Sequence, residues 1–230
     1  MLACLTAAVF MIHKPNTQSL PPIGVNRLRA AVEKLSSFPT RNTNSPEHIR
    51  ACEWLAEEFR KIPGCRVELM RYPVMKSRRI LQDGEAVQVL ATLPGEEEDI
   101  VLMGGHMDSL NLDVDPVTGR APGANDDASG VAATLEVCRI LSGTKRRNTL
   151  KFVAFSGEEQ GLLGSTALAK RARAENWKIR AVLSNELHDE CTQTEPVRSE
   201  GLLEQVEVSE GCTVCGEHRH AQRHVVVVDI

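Results

Sequence analysis

Apolar residues recur at spacings of four and three at Leu28, Val32 and Leu35, and this pattern predicts a helix over residues 25–38. Pro39 and the polar stretch at 40–43 stop it. Ser45-Pro46 starts a second helix, because a Ser side chain caps free N–H groups and Pro at the first helical position loses no bond the helix needs. That helix is expected to run to about Ile62, where Pro63-Gly64 ends it. From Cys65 the period changes: Val67 and Leu69, then Val87, Val89, Ala91 and Leu93, alternate as half-buried strands do. Ile100-Val101-Leu102-Met103 is a continuous apolar run, the mark of a central strand covered on both faces. Residues 149–155 and 179–183 are two more strands of this kind. Helical patterns lie between them, one with Val131, Leu135, Cys138 and Leu141 on a single face and one at 161–174. Strands alternating with helices predict an α/β domain with a mixed, mainly parallel central sheet flanked by helices. The acidic run Glu96-Glu97-Glu98-Asp99 reads as a solvated turn.

The chain has 230 residues, 42% hydrophobic and 25% charged, ordinary values for a globular protein. A net charge of -4 provides no broad cationic surface, so neither nucleic acid nor a membrane is expected as a partner. The charge is uneven, with 24 basic and 22 acidic residues up to position 186 but 3 and 9 over 187–230. Four of the seven His and three of the seven Cys also fall in that last stretch. The scattered cysteines read as mostly reduced thiols rather than a disulfide scaffold. The apolar run at 2–12 is too short to span a bilayer and reads either as a weak export signal, which would place the protein in the periplasm or outside the cell, or as a buried segment.

Chemistry in an α/β sheet sits beyond the carboxyl ends of the strands. Three successive strand exits carry acid and imidazole groups. The first is Gly104-Gly105-His106-Met107-Asp108, where two glycines admit a close backbone approach. The second is Ala121-Pro122-Gly123-Ala124-Asn125-Asp126-Asp127-Ala128-Ser129-Gly130, a loop running into a helix, whose carboxylates either cap that helix or bind a cation. The third is Phe155-Ser156-Gly157-Glu158-Glu159-Gln160-Gly161, where adjacent like charges call for a metal or for solvent. Together they supply the mixed nitrogen and oxygen donors that zinc accepts, with carboxylates enough to bridge two ions. No H-E-x-x-H, G-x-S-x-G, Walker A or G-x-G-x-x-G signature is present. His48, in the second helix, is expected to be a surface or boundary residue rather than a ligand.

These three segments closely resemble those of the M28 family of zinc metallopeptidases, over about residues 28–185. The resemblance implies an α/β sandwich with two zinc ions at the carboxyl edge of its sheet and peptide N-termini as substrate. By position, His106 would bind one zinc, Asp126 would bridge both and Glu159 would bind the other. Glu158 would be the general base acting on metal-activated water, Asp108 would orient the His106 side, and Asp127 would cap the helix or support the site. The family's next ligand is an aspartate, for which this chain offers Glu186 after Val182-Leu183-Ser184-Asn185.

After Glu186 the resemblance stops, dividing the chain into a lead at 1–24, a partial peptidase domain at 25–186 and a divergent acidic tail at 187–230. The expectation is a truncated or frame-altered product, or an incomplete gene model, with weak or no aminopeptidase activity, since His188, His218, His220 and His224 do not stand in the family's terminal-histidine motif. Two other functions stay open: an inactive fragment that acts by binding, and a glutaminyl-cyclase-like transferase. The tail's Cys212, Cys215, His218 and His220 are also read as a small zinc module, against the weight of their spacing.

Overall fold

The computed structural model describes residues 19–185, 204–208 and 223–227. The export-signal reading at 2–12, Glu186 and the Cys/His set of the tail lie outside the described residues. Among those described, no helix is long and apolar enough to cross a membrane.

The first two helices form where their patterns predict, α1 at Val25–Ser37 and α2 at Pro46–Arg60. The Ser45 side chain accepts from the Glu47 N–H, with Pro46 in the first turn. Strands β1 (Arg66–Val74), β2 (Gly84–Leu93) and β3 (Glu97–His106) follow, then α3 (Ser129–Ser142), β4 (Asn148–Phe155), α4 (Leu163–Ala174) and β5 (Ile179–Asn185). β6 (Glu204–Val208) and β7 (Arg223–Val227) complete a seven-stranded sheet of order β1-β2-β4-β3-β5-β7-β6.

The sheet is mixed, but with a larger antiparallel share than the alternating pattern suggests. Only β3 with β4 and β3 with β5 are parallel, and the pairs outside them are antiparallel. The reason is connectivity: β1 and β2 are consecutive strands joined without an intervening helix, and such a connection returns the chain antiparallel. Among the described residues, crossing helices occur only at β3-α3-β4 and β4-α4-β5. The chain steps from β3 to β4 in one direction, then back across β3 to β5 in the other. Two crossovers of one hand therefore place α3 and α4 on opposite faces.

The core agrees. Leu35 of α1, Leu55 and Phe59 of α2 and Val131 and Leu135 of α3 pack on Val87, Val89, Ala91, Leu93, Phe152 and Ala154. Leu90 and Val153, one residue out of step, point to the other face and meet Met70, Ile100, Leu102 and Leu168 of α4. The period of two in β2 and β4 is thus a division of side chains between two helical layers. The acidic run is solvated as expected but begins β3 rather than forming a turn. Glu97, Glu98 and Asp99 pair with Arg147, Lys178 and Arg180 at the neighbouring strands, so their charges are offset across the ladder.

Candidate metal centre

Adjacent parallel strands whose following helices lie on opposite faces leave a crevice between their carboxyl ends. Here those strands are β3 and β4. His106 ends β3 opposite Phe155, the last residue of β4, so the residues after each begin at one edge. Asn185 ends β5 at the same edge, with its carbonyl oxygen 3.1 Å from where a Cβ on Gly105 would stand.

His106 is buried, and its Nδ1 lies 3.1 Å from the main-chain oxygen of Asp108. A carbonyl only accepts, so Nδ1 carries the proton, and in the neutral ring Nε2 keeps its lone pair. Nε2 stands 2.7 Å from an Asp126 carboxylate oxygen, yet it makes no hydrogen bond of acceptable geometry. A buried imidazole nitrogen beside a carboxylate, with its other nitrogen fixed by a carbonyl, is the arrangement found in ligands of one cation.

The two aspartates of the second motif divide their work by burial. Asp126 is 57% exposed and reaches His106. Asp127 is wholly buried, and its oxygens accept from the N–H groups of His106, at 2.9 Å, and Gly130, at 2.9 Å. It therefore ties the start of α3 to the end of β3. The glycines make this approach feasible, because a Cβ on Gly105 would stand 2.6 Å from Asp127 Oδ2 and one on Gly130 would stand 2.4 Å from Oδ1.

Asp108 is also fully buried, but it does not hold the His106 ring with its carboxylate. That oxygen is 3.7 Å from Nδ1, and the main-chain carbonyl makes the contact instead. The carboxylate accepts from the N–H groups of Glu158, at 3.2 Å, and Glu159, at 3.0 Å. It clasps the third motif to the first through the backbone, leaving both glutamate side chains outside the clasp. Gly157, at φ 74°, makes the turn that brings them there.

Electrostatics mark the crevice as short of positive charge. Burial, then Asp126 and Asp108, push the Glu159 carboxyl up to about 7. Burial opposes charge on His106, but Asp108 and Asp126 outweigh it and bring the ring to about 11. A cation among these groups would take the place of that proton and relieve the repulsion at Glu159. Among the described residues, no three His, Cys, Asp or Glu side chains are gathered closely enough to hold an ion. The donors brought together are His106 and Asp126 in contact, with Glu158 and Glu159 on the adjoining turn; Glu186 is not described. The chemistry of that set, one nitrogen and several oxygens, fits zinc.

Several residues that support the site escape a reading of local pattern. His48 is not at the surface. It is fully buried, with Nδ1 2.9 Å from the Arg41 carbonyl and Nε2 2.7 Å from Ser156 Oγ. It faces inward because its helix packs on β2, and its polar ring is satisfied by groups distant in sequence. Tyr72 donates to the Ser156 carbonyl at 2.8 Å. Arg41, also fully buried, hydrogen-bonds to main-chain carbonyls around the site. The polar run at 40–43 is wholly buried, which nothing in its local sequence announces.

Comparison with known proteins agrees with this geometry. The sequence model described as "Peptidase family M28" matches residues 88–200, which take in all three motifs. The chain is 34% identical over 159 residues to a "Probable leucine aminopeptidase" of Arthroderma benhamiae, covering 66% of this chain and 41% of that protein. It is 37% identical over 174 residues to a "Probable zinc metalloprotease" of Pyricularia oryzae, covering 70% of this chain and 35% of the other. The chain therefore spans less than half the length of these relatives. Among solved structures, a Zn-dependent exopeptidase from Parabacteroides distasonis aligns over 70% of this chain and 61% of its own, at a TM-score of 0.61 and 21% identity. A glutaminyl cyclase from Fimbriiglobus ruber aligns over 72% and 62%, at 0.63 and 20%. Both show a shared fold. With the first and third motifs at the ends of β3 and β4 and the second leading into α3, a matching family model and these relatives, the chain belongs to peptidase family M28.

Proposed function

We propose that the crevice is the zinc centre of an aminopeptidase, which hydrolyses the N-terminal peptide bond of its substrate. The observation that carries this reading is the pairing of His106 Nε2 with Asp126 at 2.7 Å without hydrogen-bond geometry, beside the Glu158-Glu159 turn. His106 would hold one ion, Asp126 would be shared between two, and Glu159 and Glu186 would serve as further ligands. Bound zinc supplies Lewis acidity, which polarises the scissile carbonyl and makes water a better nucleophile at neutral pH.

The remaining work falls to the chain. Glu158 accepts a proton from the attacking water and returns it to the departing amine as the C–N bond breaks. Asp108 holds the Glu158 main chain, which keeps that carboxylate at the crevice while its side chain stays able to exchange a proton. The carboxylates favour a substrate bearing a free, protonated N-terminus, which is the support for an aminopeptidase over an internal cleavage. The names of the aminopeptidase and zinc metalloprotease relatives lend the same support.

Zinc content and turnover of amino-acid anilides test this reading separately. Glu158→Gln keeps the side chain's size and removes the base, so zinc should stay while turnover falls by roughly 10²-fold or more. Unchanged turnover assigns the base elsewhere. Replacing His106, Asp126 and Glu159 together by Ala should abolish zinc uptake, and zinc content equal to that of the parent would sink the ligand assignment.

A further inference from the structure

Arg41 carries a charge into the interior and spends it on main-chain oxygens. Its Nε donates to Met107 O at 2.8 Å, Nη1 to Leu35 O at 3.0 Å and Pro122 O at 2.5 Å, and Nη2 to Gly123 O at 2.8 Å. Met107 is the residue between His106 and Asp108, and Gly123 stands three positions before Asp126. A single planar fork therefore spans both segments that present the paired donors. Its own N–H donates to Ser109 Oγ at 3.0 Å, and that hydroxyl donates to Ala121 O at 2.7 Å, a second tie between the same segments. Gly123 adopts φ 47°, and a Cβ there would stand 2.7 Å from Ser109 Cβ and 2.9 Å from Nη2, so the loop packs closely on both Ser109 and the guanidinium. The Arg41 carbonyl meets His48, whose Nε2 reaches Ser156 at the start of the Glu158-Glu159 turn.

We propose that Arg41, assisted by Ser109, is a positioning residue of the metal centre, setting the distance between the His106 and Asp126 segments so that both can face one ion. This rests on the zinc-centre reading above. The rigid fork is what the task requires: donors fixed in one plane bridge carbonyls from the last turn of α1, the segment after β3 and the loop before Asp126, which a neutral side chain or the point charge of a lysine does not. Asp108, Asp127 and Asp126 in turn favour the positive charge of Arg41 against the effect of its burial.

The test measures zinc affinity of the full 230-residue chain by competition with a chromophoric chelator, well below the melting temperature of each protein. Arg41→Lys should weaken zinc binding by about tenfold or more, in the range found when support behind metal ligands is removed. Ser109→Ala should weaken it severalfold. Leu55→Ala, a core substitution in α2 outside both segments, should lower the melting temperature and leave zinc affinity unchanged. Zinc affinity within twofold of the parent in Arg41→Lys overturns the proposal. If that variant does not fold, Ser109→Ala decides: parental affinity overturns the proposal, and weakened affinity supports it. An equal loss of affinity in Leu55→Ala also overturns it, by showing that general destabilisation is enough. Failure of the parent chain to take up zinc removes the metal-centre reading and this proposal with it, an outcome distinct from a parent that binds and variants that bind as well.

Discussion

Removing the Asp127 carboxylate should cost more stability than any helix cap at the surface. In Asp127→Ala, two buried N–H groups, those of His106 and Gly130, lose an ionised acceptor at 2.9 Å each. Hydrogen bonds to charged groups contribute about 1.5–3 kcal/mol apiece, and a surface cap alone typically contributes about 1. A loss of about 3–5 kcal/mol follows, corresponding to a fall in melting temperature of roughly 10 °C for a chain of this size. Asp127→Asn keeps one oxygen but turns an NH2 toward the other donor, so it should lose about half as much or more. Urea unfolding at neutral pH measures both. The effect should extend to the site, because the His106 main chain is one of the two groups released, and zinc affinity should weaken in parallel. A cost below about 1 kcal/mol for Asp127→Ala would refute the reasoning, since it would mean that water replaces the carboxylate freely in a place with no exposed surface.

Other outcomes follow from single residues. Gly105→Ala places a Cβ 2.6 Å from Asp127 Oδ2 and 2.9 Å from the Gly130 backbone, so it should destabilise the chain by about 1–3 kcal/mol in thermal melts and displace Asp127. The hydrogen bond from Arg27 pulls the buried Glu136 carboxyl down to about 2, against the effect of burial and with help from the Gly24 N–H. Its folded value lies below the unfolded one of about 4.3, so its contribution is complete above that pH and is lost as pH falls through about 2. Glu136→Gln should therefore cost about 1–2 kcal/mol at pH 7, after allowing for solvent screening at the half-exposed Arg27, and less near pH 3.5. A deficit that grows on acidification, measured by urea unfolding at both pH values, would reverse the assignment.

The three motifs were legible because each is short and contiguous, the first and third placed where a strand period ends and the second where a helix begins. The glycines, the paired acids and the apolar runs before them are all local facts. What supports them is not. Arg41 and His48 acquire their partners from β2, from the residues after β3 and β4 and from the loop before Asp126, and nothing at positions 41 or 48 announces those neighbours. His48 sits at a helical position that local reading placed near solvent, and only the packing of α2 on the sheet turns it inward. The role of Asp108 was legible in kind but not in detail: its proximity to His106 was evident, whereas the clasp on the Glu158 and Glu159 amides depends on β3 and β4 being neighbours. The antiparallel flank was hidden because alternating apolar residues look alike in strands of either direction.

The Asp108 clasp makes the turn after β4 a socket defined by its backbone. Because both oxygens of Asp108 are taken by main-chain amides, the turn keeps its shape whatever side chains occupy positions 158 and 159. A scaffold of this kind separates the geometry of a reactive position from its chemical identity. Residues of different acidity or reach could be exchanged there with little disturbance beneath them, so the crevice is a ready starting point for building a different reaction onto the same sheet.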